Sequence, residues 1–309
     1  MKLRVGIAGA GYAGGVHAEN LRRDERVEIS AIFDPDPARR SGISAATYHD
    51  LLDCSDAIYI TAPNTRHAEL ALEALAAGKH VFCEKPLATT LEDARRVLDA
   101  SNASETVFQM GHNRRFTPVY KRLKELLIES PPHTAHIKMN RGELLKPVWT
   151  GDDSVTGGFL YETPIHMFDM MRFQFGEIAA LDARLSGPND FSILIEFVSG
   201  MYATFVTSAD TSWFFPYERV EVFGQYSTIE TAEIESLSYR LGLDAETVTE
   251  DFRPIPIATR FGFEEEDRLF VNAVLSGGEP PVTALDGYRA VELVCACYRS
   301  AAEKRQIRI

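Results

Sequence analysis

Long apolar runs, blocks of basic residues and regularly spaced cysteines are all missing from this sequence of 309 residues. The net charge is −13 and Lys and Arg are not clustered, which argues against nucleic acid as a partner, because phosphate contacts require clustered positive charge. No apolar run is long enough to cross a bilayer, and the start, MKLRVGIAGAG, lacks the three-part layout of a signal peptide. The four cysteines include no CxxC pair, so we expect reduced thiols in a cytoplasmic protein without membrane partners.

What remains is an ordinary globular composition in a chain long enough for two domains. Hydrophobic residues make up 45% and charged residues 25% of the sequence, which is typical of soluble folds. Strands are predicted at residues 3–8, 27–33, 56–61, 79–83 and 106–110, with helical patterns between them. Strands joined by helical crossovers indicate a parallel sheet covered on both faces, so we predict an α/β doubly wound sheet of the Rossmann type.

The pattern changes after residue 118. A helix is predicted at residues 119–128 and a helical stretch at 158–175. Alternating runs near residues 135–140, 178–185, 191–197, 201–208 and 219–223 predict a large, mainly antiparallel open sheet in an α+β domain. We therefore predict one domain at residues 1–118 and a second at 119–309. The last predicted helix, 285–304, is a candidate to pack back on the first domain.

A glycine-rich turn follows the first predicted strand and opens the first helix. It has the pattern GxGxxG, with Gly9, Gly11 and Gly14 as its glycines and with Tyr12 and Ala13 between the last two. Such a turn lets the backbone approach a pyrophosphate, and the unpaired N–H groups of the following helix bind that anion. Strand, turn and helix in this order predict a dinucleotide site, with a plain glycine-rich turn as the alternative.

The end of the second predicted strand carries Asp34. A carboxylate in this place accepts hydrogen bonds from the hydroxyls of the adenosine ribose, and it repels the additional phosphate of NADP. Asp34 therefore favours NAD as the cofactor over NADP. Arg39 and Arg40 are evidence for the opposite choice, since an arginine can accommodate that phosphate.

Polar residues follow the carboxyl ends of the third and fourth predicted strands, where a doubly wound sheet binds its ligands. The third strand ends in TAPNTRH and the fourth in EKP, and the fifth is followed by GHNRRF. At the carboxyl ends of the third and fourth strands we predict cofactor contacts for Thr61, Pro63, Asn64, His67, Glu84 and Lys85.

The sequence Glu84-Lys85-Pro86 places two charges at the end of an otherwise apolar strand. Pro86 fixes the local backbone and restricts Lys85 to extended geometry, which holds the ammonium in place. A lysine there can hydrogen-bond a substrate hydroxyl and polarise it, while Glu84 can orient Lys85 or contact the ribose of the cofactor. The alternative is a surface ion pair at a loop, which contributes under about 1 kcal/mol.

Together these motifs resemble the Gfo/Idh/MocA oxidoreductases. The resemblance continues through GGFLYETPIHMFD at residues 157–169, which is similar to the family signature GGxLxDxxxHxxD, and through ERVEVFG at 218–224 and DGYR at 286–289. It covers essentially the whole chain. It implies a domain for substrate binding and oligomerisation at residues 119–309. It also implies hydride exchange between NAD and a secondary alcohol or ketone of a cyclic polyol, sugar or sugar derivative.

The resemblance places the catalytic groups of the family on Lys85, Glu162 and His166. Position 162 departs from the family pattern, since its glutamate is one methylene longer than the usual aspartate. Histidine titrates near neutral pH and suits the proton transfer that accompanies loss of hydride from an alcohol. A carboxylate one helical turn earlier can hold the tautomer of the imidazole. Pro164 lies between the two, so a helix with Thr163 as N-cap is a candidate to begin there, which would leave Glu162 outside it.

Other roles for this segment stay open. Glu162, His166 and Asp169 could together ligate a metal, although the resemblance requires none and we predict none. A structural hydrogen bond between His166 and an aspartate in the core is a second alternative. Asp169 could also form a helical ion pair with Arg172, three residues further on.

Substrate contacts are predicted for Asn113, Arg114, Asp169 and Trp213. In members of the family the segment that contains Asn113 and Arg114 faces the nicotinamide and the substrate, and a solvated helix start is the alternative for both. Trp213, in the stretch WFFPY, could stack on a sugar ring, with an interface or a core patch as the alternative.

The resemblance also leaves two other functions open and suggests an oligomer. One alternative is a redox-assisted glycosidase that keeps NAD bound, and the other is a non-catalytic regulator that binds a dinucleotide. A homodimer or homotetramer is expected by analogy, because an exposed sheet face often pairs with its copy.

Overall fold

The structure, a computed structural model, describes residues 2–40, 42–140, 151–209, 211 and 217–309. The chain forms two compact units. The first contains Met1–Asn113, Ser154–Gly157 and Phe263–Val291, and the second contains Arg114–Asp153, Gly158–Gly262 and Glu292–Ile309. Compared with the boundary predicted at residue 118, the first unit also contains residues 263–291, because apolar side chains from this segment belong to its core.

The first unit is built on a parallel sheet of five strands. These are β1 (Leu3–Ala8), β2 (Val27–Phe33), β3 (Ala57–Ile60), β4 (His80–Glu84) and β5 (Phe108–Gly111), in the order β2-β1-β3-β4-β5. The crossovers contain the helices α1 (Tyr12–Arg23), α2 (Tyr48–Cys54), α3 (His67–Ala76) and α4 (Leu91–Ala103). This arrangement confirms the predicted doubly wound sheet, whose strand ends share one edge.

Local sequence accounts for several of these elements. Strand β3 is buried along its whole length, as expected where helices cover both faces of a sheet. Helix α4 begins after Thr90, whose hydroxyl oxygen accepts the main-chain N–H of Asp93 at 3.1 Å. Helix α3 ends just before Gly78, whose φ of +69° favours glycine.

The remaining elements follow β5 along the chain. The helices are α5 (Pro118–Glu129), α6 (Asp153–Thr156), α7 (Phe159–Glu162), α8 (Ile165–Phe175), α9 (Ile257–Arg260), α10 (Phe263–Ser276) and α11 (Ala284–Glu303). The strands are β6 (Pro132–Met139), β7 (Ile178–Gly187), β8 (Asp190–Phe197), β9 (Tyr202–Ser208), β10 (Glu218–Gly224), β11 (Ser227–Ala232), β12 (Ser236–Leu241), β13 (Val248–Asp251) and β14 (Ile307–Arg308). Within the described parts of the chain, none of the helices has the combined length and apolar character of a membrane span.

The second unit contains a sheet of nine strands in the order β13-β12-β11-β10-β6-β9-β8-β7-β14. Neighbouring strands are antiparallel, except that β6 and β9 are parallel. This confirms the predicted mainly antiparallel sheet and adds β11 to β14, which were not predicted. Alternate residues of β8 and β9 are buried, as in a sheet with one packed face and one open face.

The helical stretch predicted at residues 158–175 is two helices, and the break lies at Pro164, where the sequence offered a helix start as a candidate. Helix α7 ends at Glu162, and α8 begins at Ile165 directly after Pro164. Pro164 has no N–H to continue the first helix, and its fixed φ suits the entry to the second. Glu162 therefore lies before the helix that carries His166.

Candidate active site

The glycine-rich turn joins β1 to α1 in the first unit. Gly9 has a φ of +111°, and a Cβ added there would come within 2.5 Å of the carbonyl oxygen of Thr61. A Cβ on Gly14 would collide with the carbonyl oxygen of Gly9, which in turn accepts the Thr61 hydroxyl at 2.7 Å. Gly9 and Gly14 thus permit tight packing of the turn against the end of β3.

Gly11 differs from the other two glycines, since a Cβ there would meet no atom within 4 Å. Its backbone precedes α1, and no side chain in the described part of the chain caps this helix. The N–H groups of the first turn can therefore bind an anion. Tyr12 is exposed and Ala13 half-buried at the same helix start. The open backbone and the uncapped helix fit the pyrophosphate of a dinucleotide.

Asp34 is buried just after β2, and the main chain holds its carboxylate. One oxygen accepts the N–H of Ala10 and the other accepts the N–H of Asp36, both at 2.9 Å. Arg40 donates from Nε to the carbonyl oxygen of Asp34 at 2.7 Å and lies over the ring of Phe33. Asp34 thus ties the glycine-rich turn to the loop after β2, and its carboxylate has lone pairs left for further donors.

The loop after β3 is fixed by two buried side chains. Asn64 donates from Nδ2 to the carbonyl oxygen of Thr156 at 3.0 Å. The nitrogens of His67 lie 2.6 Å from the carbonyl oxygen of Pro86 and 2.7 Å from that of Ala62. Burial lowers the pKa of His67, so the ring is neutral near pH 7 and donates to one carbonyl at a time. His67 thus connects the loops after β3 and β4.

Pro63 and Thr61 complete the predicted contacts on this loop. Pro63 is exposed, whereas the hydroxyl of Thr61 is committed to the main chain of the glycine-rich turn. The loop therefore presents ordered main chain at the sheet edge where the strands end.

The Glu84-Lys85-Pro86 motif follows β4, and Glu84 is only 9% exposed. One carboxylate oxygen of Glu84 accepts the main-chain N–H of Lys85 at 3.1 Å, and the other lies 3.1 Å from Nε2 of His17. A surface ion pair, the alternative considered from the sequence, is therefore wrong for Glu84. Lys85 is half-buried, and the peptide bond from Lys85 to Pro86 is cis.

His17, on α1, is a buried residue that the sequence analysis missed. Its Nδ1 lies 2.7 Å from a carboxylate oxygen of Asp267 on α10, opposite the contact to Glu84. A signal was present, because His17 falls on the buried side of α1 with Gly14, Ala18 and Leu21, and a buried polar ring requires partners. Its partner Asp267 is 250 positions away, so no local spacing indicates it.

In the second unit, Glu162 and His166 flank the break between α7 and α8. The hydroxyl of Thr163 donates to the carboxylate of Glu162. The main-chain N–H of His166 donates to the carbonyl oxygen of Thr163 at 3.3 Å, in the first turn of α8. Both side chains are half-buried.

Two of the predicted substrate contacts hold buried ion pairs in the second unit. Asp169 accepts from Nε of Arg115 at 2.8 Å and from a terminal nitrogen of the same guanidinium at 2.5 Å. Arg114 reaches both carboxylate oxygens of Glu218, at 3.2 and 3.1 Å from Nε. The charged ends of Asp169 and Arg114 thus bind side chains of the second unit itself.

The alternatives that the sequence offered for these residues are corrected accordingly. Arg172, suggested from the sequence as a helical partner of Asp169, pairs with Glu177 at 2.7 Å. Asn113 is only 3% exposed, and Arg114 is buried as well, so neither belongs to a solvated helix start. Trp213 lies outside the described residues.

Potential metal ligands come together in the first unit. Among the residues that can be described, three potential ligand atoms approach within 4.8 Å of one another at His17, Glu84 and Glu266. Glu162, His166 and Asp169 form no such group. Both nitrogens of His17 are used by carboxylates, and a protonated imidazole has no lone pair for a metal.

Known proteins share this architecture over the full chain. An oxidoreductase YrbE of Bacillus subtilis is 29% identical over 96% of this chain and 94% of its own. A myo-inositol 2-dehydrogenase of Thermotoga maritima is 27% identical over 99% of this chain and 98% of its own. The crystal structure of GenD2 from gentamicin A biosynthesis, in complex with NAD, is 25% identical with a TM-score of 0.83, and the match covers 100% of this chain and 96% of that one.

Family descriptions match both halves of the sequence. Residues 3–112 match the oxidoreductase family with an NAD-binding Rossmann fold, where the glycine-rich turn, Asp34 and the ordered strand ends lie. Residues 130–309 match the C-terminal alpha/beta domain of the same family, which contains the nine-stranded sheet. The chain therefore belongs to the Gfo/Idh/MocA family of oxidoreductases.

Proposed function

We propose that this protein transfers hydride between NAD and a secondary alcohol or ketone of a cyclic polyol, sugar or sugar derivative. The observation that carries the proposal is the fixed main chain of Lys85 at the end of β4, where doubly wound sheets bind their ligands. The relative from Thermotoga maritima is named for dehydrogenation of myo-inositol. Its similarity supports a substrate of this chemical class.

Each predicted residue has a chemical task in this proposal. The first turn of α1 binds the pyrophosphate, and Asp34 accepts from the hydroxyls of the adenosine ribose. When bound, the nicotinamide accepts or returns the hydride. Lys85 hydrogen-bonds the reacting oxygen, His166 takes or returns its proton, and Glu162 supports the protonated imidazole.

A substrate panel tests this function directly. Purified protein is assayed with NAD and a set of polyols, aldoses, uronic acids and amino sugars, and turnover is followed by NADH absorbance. We expect turnover of at least one compound of these classes. Release of the aryl group from an aryl glycoside with no net NADH would instead indicate a redox-assisted glycosidase. Tight NAD binding without any turnover would contradict an enzymatic role.

Asp34 is expected to set the preference for NAD over NADP. In Asp34→Ala we expect affinity for NAD to fall about tenfold to hundredfold, since a hydrogen bond to a charged group contributes about 1.5–3 kcal/mol. Discrimination against NADP should relax because the repelling charge is gone. Fluorescence titration with both cofactors measures these changes.

Asp36→Ala is the matched control for this prediction. Asp36 lies in the same loop, where its exposed side chain accepts the N–H of Ala38. Asp34→Asn separates charge from packing, because it keeps one oxygen acceptor without the charge. Equal NAD affinity in Asp34→Ala and wild type would contradict the assignment of the cofactor.

The open face of the sheet in the second unit supports a homodimer or homotetramer. Leu194, Tyr202 and Val206 are between 39% and 47% exposed. The pairing of Leu194 with Thr204 places them on one face. Neighbouring apolar side chains of this size are typical of contact surfaces.

We therefore expect Val206→Asp to reduce the mass of the assembly. A buried charge in the contact would oppose association, because its desolvation is not compensated. Light scattering after size-exclusion chromatography measures the mass. Ile128→Asp is the control, since Ile128 is 79% exposed on α5. A monomeric wild type, or an unchanged mass in Val206→Asp, would contradict the proposed oligomer.

A further inference from the structure

His17 connects three separate elements of the first unit from a fully buried position. Its ring nitrogens face one carboxylate at the end of β4 and another on α10, at 3.1 and 2.7 Å. The rings of Tyr59, Phe82 and Phe263 surround it at centroid distances between 4.9 and 5.7 Å. A polar ring enclosed by aromatic groups and held at both nitrogens has a defined orientation.

The two carboxylates require the ring to be protonated at both nitrogens. A neutral imidazole has one N–H, so it could donate to Glu84 or to Asp267 but not to both. Burial lowers the pKa of His17, but the charges and hydrogen bonds of Asp267 and Glu84 outweigh it, and the pKa is raised well above its usual value. Burial also raises the pKa of Glu84, but the hydrogen bond and charge of His17 and the charge of Lys85 bring it below the ordinary range.

Glu84 contacts His17 with one carboxylate oxygen and the main chain of Lys85 with the other. That oxygen accepts the main-chain N–H of Lys85 at 3.1 Å, so the carboxylate is held by the imidazole on one side and by the peptide of Lys85 on the other. Gly111, opposite Glu84 on β5, leaves the space that the carboxylate needs, since a Cβ there would come within 3.3 Å of this oxygen. Movement of the His17 ring would therefore displace the backbone that carries the Lys85 side chain.

The same ring is part of the helix that begins at the glycine-rich turn. His17 lies five positions after Tyr12, the first residue of α1. Asn20, also on α1, donates from Nδ2 to the other oxygen of Asp267 at 2.8 Å. Arg23, at the end of α1, donates to Glu264 on α10 at 3.2 Å. His17, Asn20 and Arg23 thus join α1 to α10, and His17 also joins α1 to Glu84.

We propose that His17 is a positioning residue that fixes Lys85, through the carboxylate of Glu84, relative to the helix at the glycine-rich turn. This inference rests on the function proposed above. His17 would touch neither substrate nor cofactor. Its effect on the reaction would come from keeping the Lys85 backbone in place.

The first test is hydrogen exchange at the main-chain amide of Lys85 in the full-length protein. His17→Gln keeps a polar side chain but cannot supply two donors on opposite sides of a charged ring. We expect the Lys85 amide to exchange about tenfold faster in this variant, because its acceptor is released. Asn20→Ala is the matched control, since it removes a bond to Asp267 without touching Glu84, and the Lys85 amide should exchange as in wild type. An unchanged Lys85 amide in folded His17→Gln would overturn the proposal whatever the activity.

The second test separates positioning from folding. In His17→Gln we expect kcat to fall about tenfold to hundredfold, the effect of moving a catalytic group by about 1 Å, while the Kd for NAD stays near the wild-type value. The melting temperature should fall, because two buried carboxylates lose their counter-charge, so kcat and Kd are measured well below it. In a Glu84→Gln background the additional effect of His17→Gln should largely disappear, because both act through one contact. Equal effects of His17→Gln in both backgrounds would overturn the proposal. If His17→Gln does not fold, the nearly isosteric Asp267→Asn takes its place with the same expected results.

Failure of the proposed function would look different. If Lys85→Met turned over substrate normally, Lys85 would have no role in the reaction, yet the exchange of its amide would still decide whether His17 holds it. If the Lys85 amide exchanged faster in His17→Gln but kcat stayed at the wild-type value, His17 would hold the Lys85 backbone without affecting the reaction. The positioning role would then be wrong.

Discussion

Lys85→Met is expected to reduce kcat by about 10² to 10⁴ while leaving the affinity for NAD largely unchanged. Methionine approximates the length of lysine but cannot donate a hydrogen bond or carry charge, so the reacting oxygen would lose its electrostatic support. The backbone at this position should persist, because Glu84 holds the main-chain N–H and not the amine. NADH absorbance gives kcat, and fluorescence titration gives the Kd for NAD.

Lys79→Met is the matched control for this substitution. Lys79 lies just before β4, at the amino end of the strand, and its amine donates to the carbonyl oxygen of Ser55 at 2.9 Å. The candidate site lies at the carboxyl ends of the strands. We expect near wild-type kcat for this control. Normal turnover in Lys85→Met would remove the amine from the mechanism.

His166→Ala is expected to reduce kcat by about 10² to 10⁴, the usual contribution of a general acid or base. The pH profile of kcat should also lose the limb that reports titration of this group in the enzyme–substrate complex. Both are measured with the best substrate of the panel over a range of pH. A mild loss with an unchanged pH profile would indicate a structural histidine.

Two controls sharpen the test of His166. His133→Ala changes an exposed histidine of the same unit, on β6, and should leave kcat near wild type. The double variant of Lys85→Met and His166→Ala should lose less than the product of the single losses if both groups act on one proton. Fully multiplicative losses would assign the two residues to separate steps.

Much of the fold could be predicted because its signals are local. The alternating patterns give β1, β2 and the strands up to β10 within a few residues, since the period of side-chain burial follows from backbone geometry. The Thr90 cap and the break at Pro164 likewise depend on the nearest few residues. The parallel pairing of β6 with β9 was not predicted, because pairing partners distant in sequence leave no local pattern.

In the candidate site, too, some features have local sequence signals and others depend on residues that are distant in sequence. The glycine-rich turn and the place of Glu84 and Lys85 at the end of β4 follow from residue type and position in the fold, whereas the burial of Glu84 does not. Asp169 shows the limit, because Arg115, which holds its carboxylate, is 54 positions away and no local spacing indicates it. Helical spacing indicates which residues are able to meet, but burial decides which charges must be paired.

By itself the sequence determined the doubly wound sheet and the second, mainly antiparallel sheet. It also determined that the glycine-rich turn follows β1 and that Lys85 follows β4. Only the tertiary structure decided which charges are buried together, as in the contacts of His17 with Glu84 and Asp267 across 67 and 250 positions. The physical reason is the distance along the chain over which each effect acts. Backbone periodicity and turn chemistry act over a few residues, whereas a charge removed from water must find its counter-charge wherever the packed chain brings one.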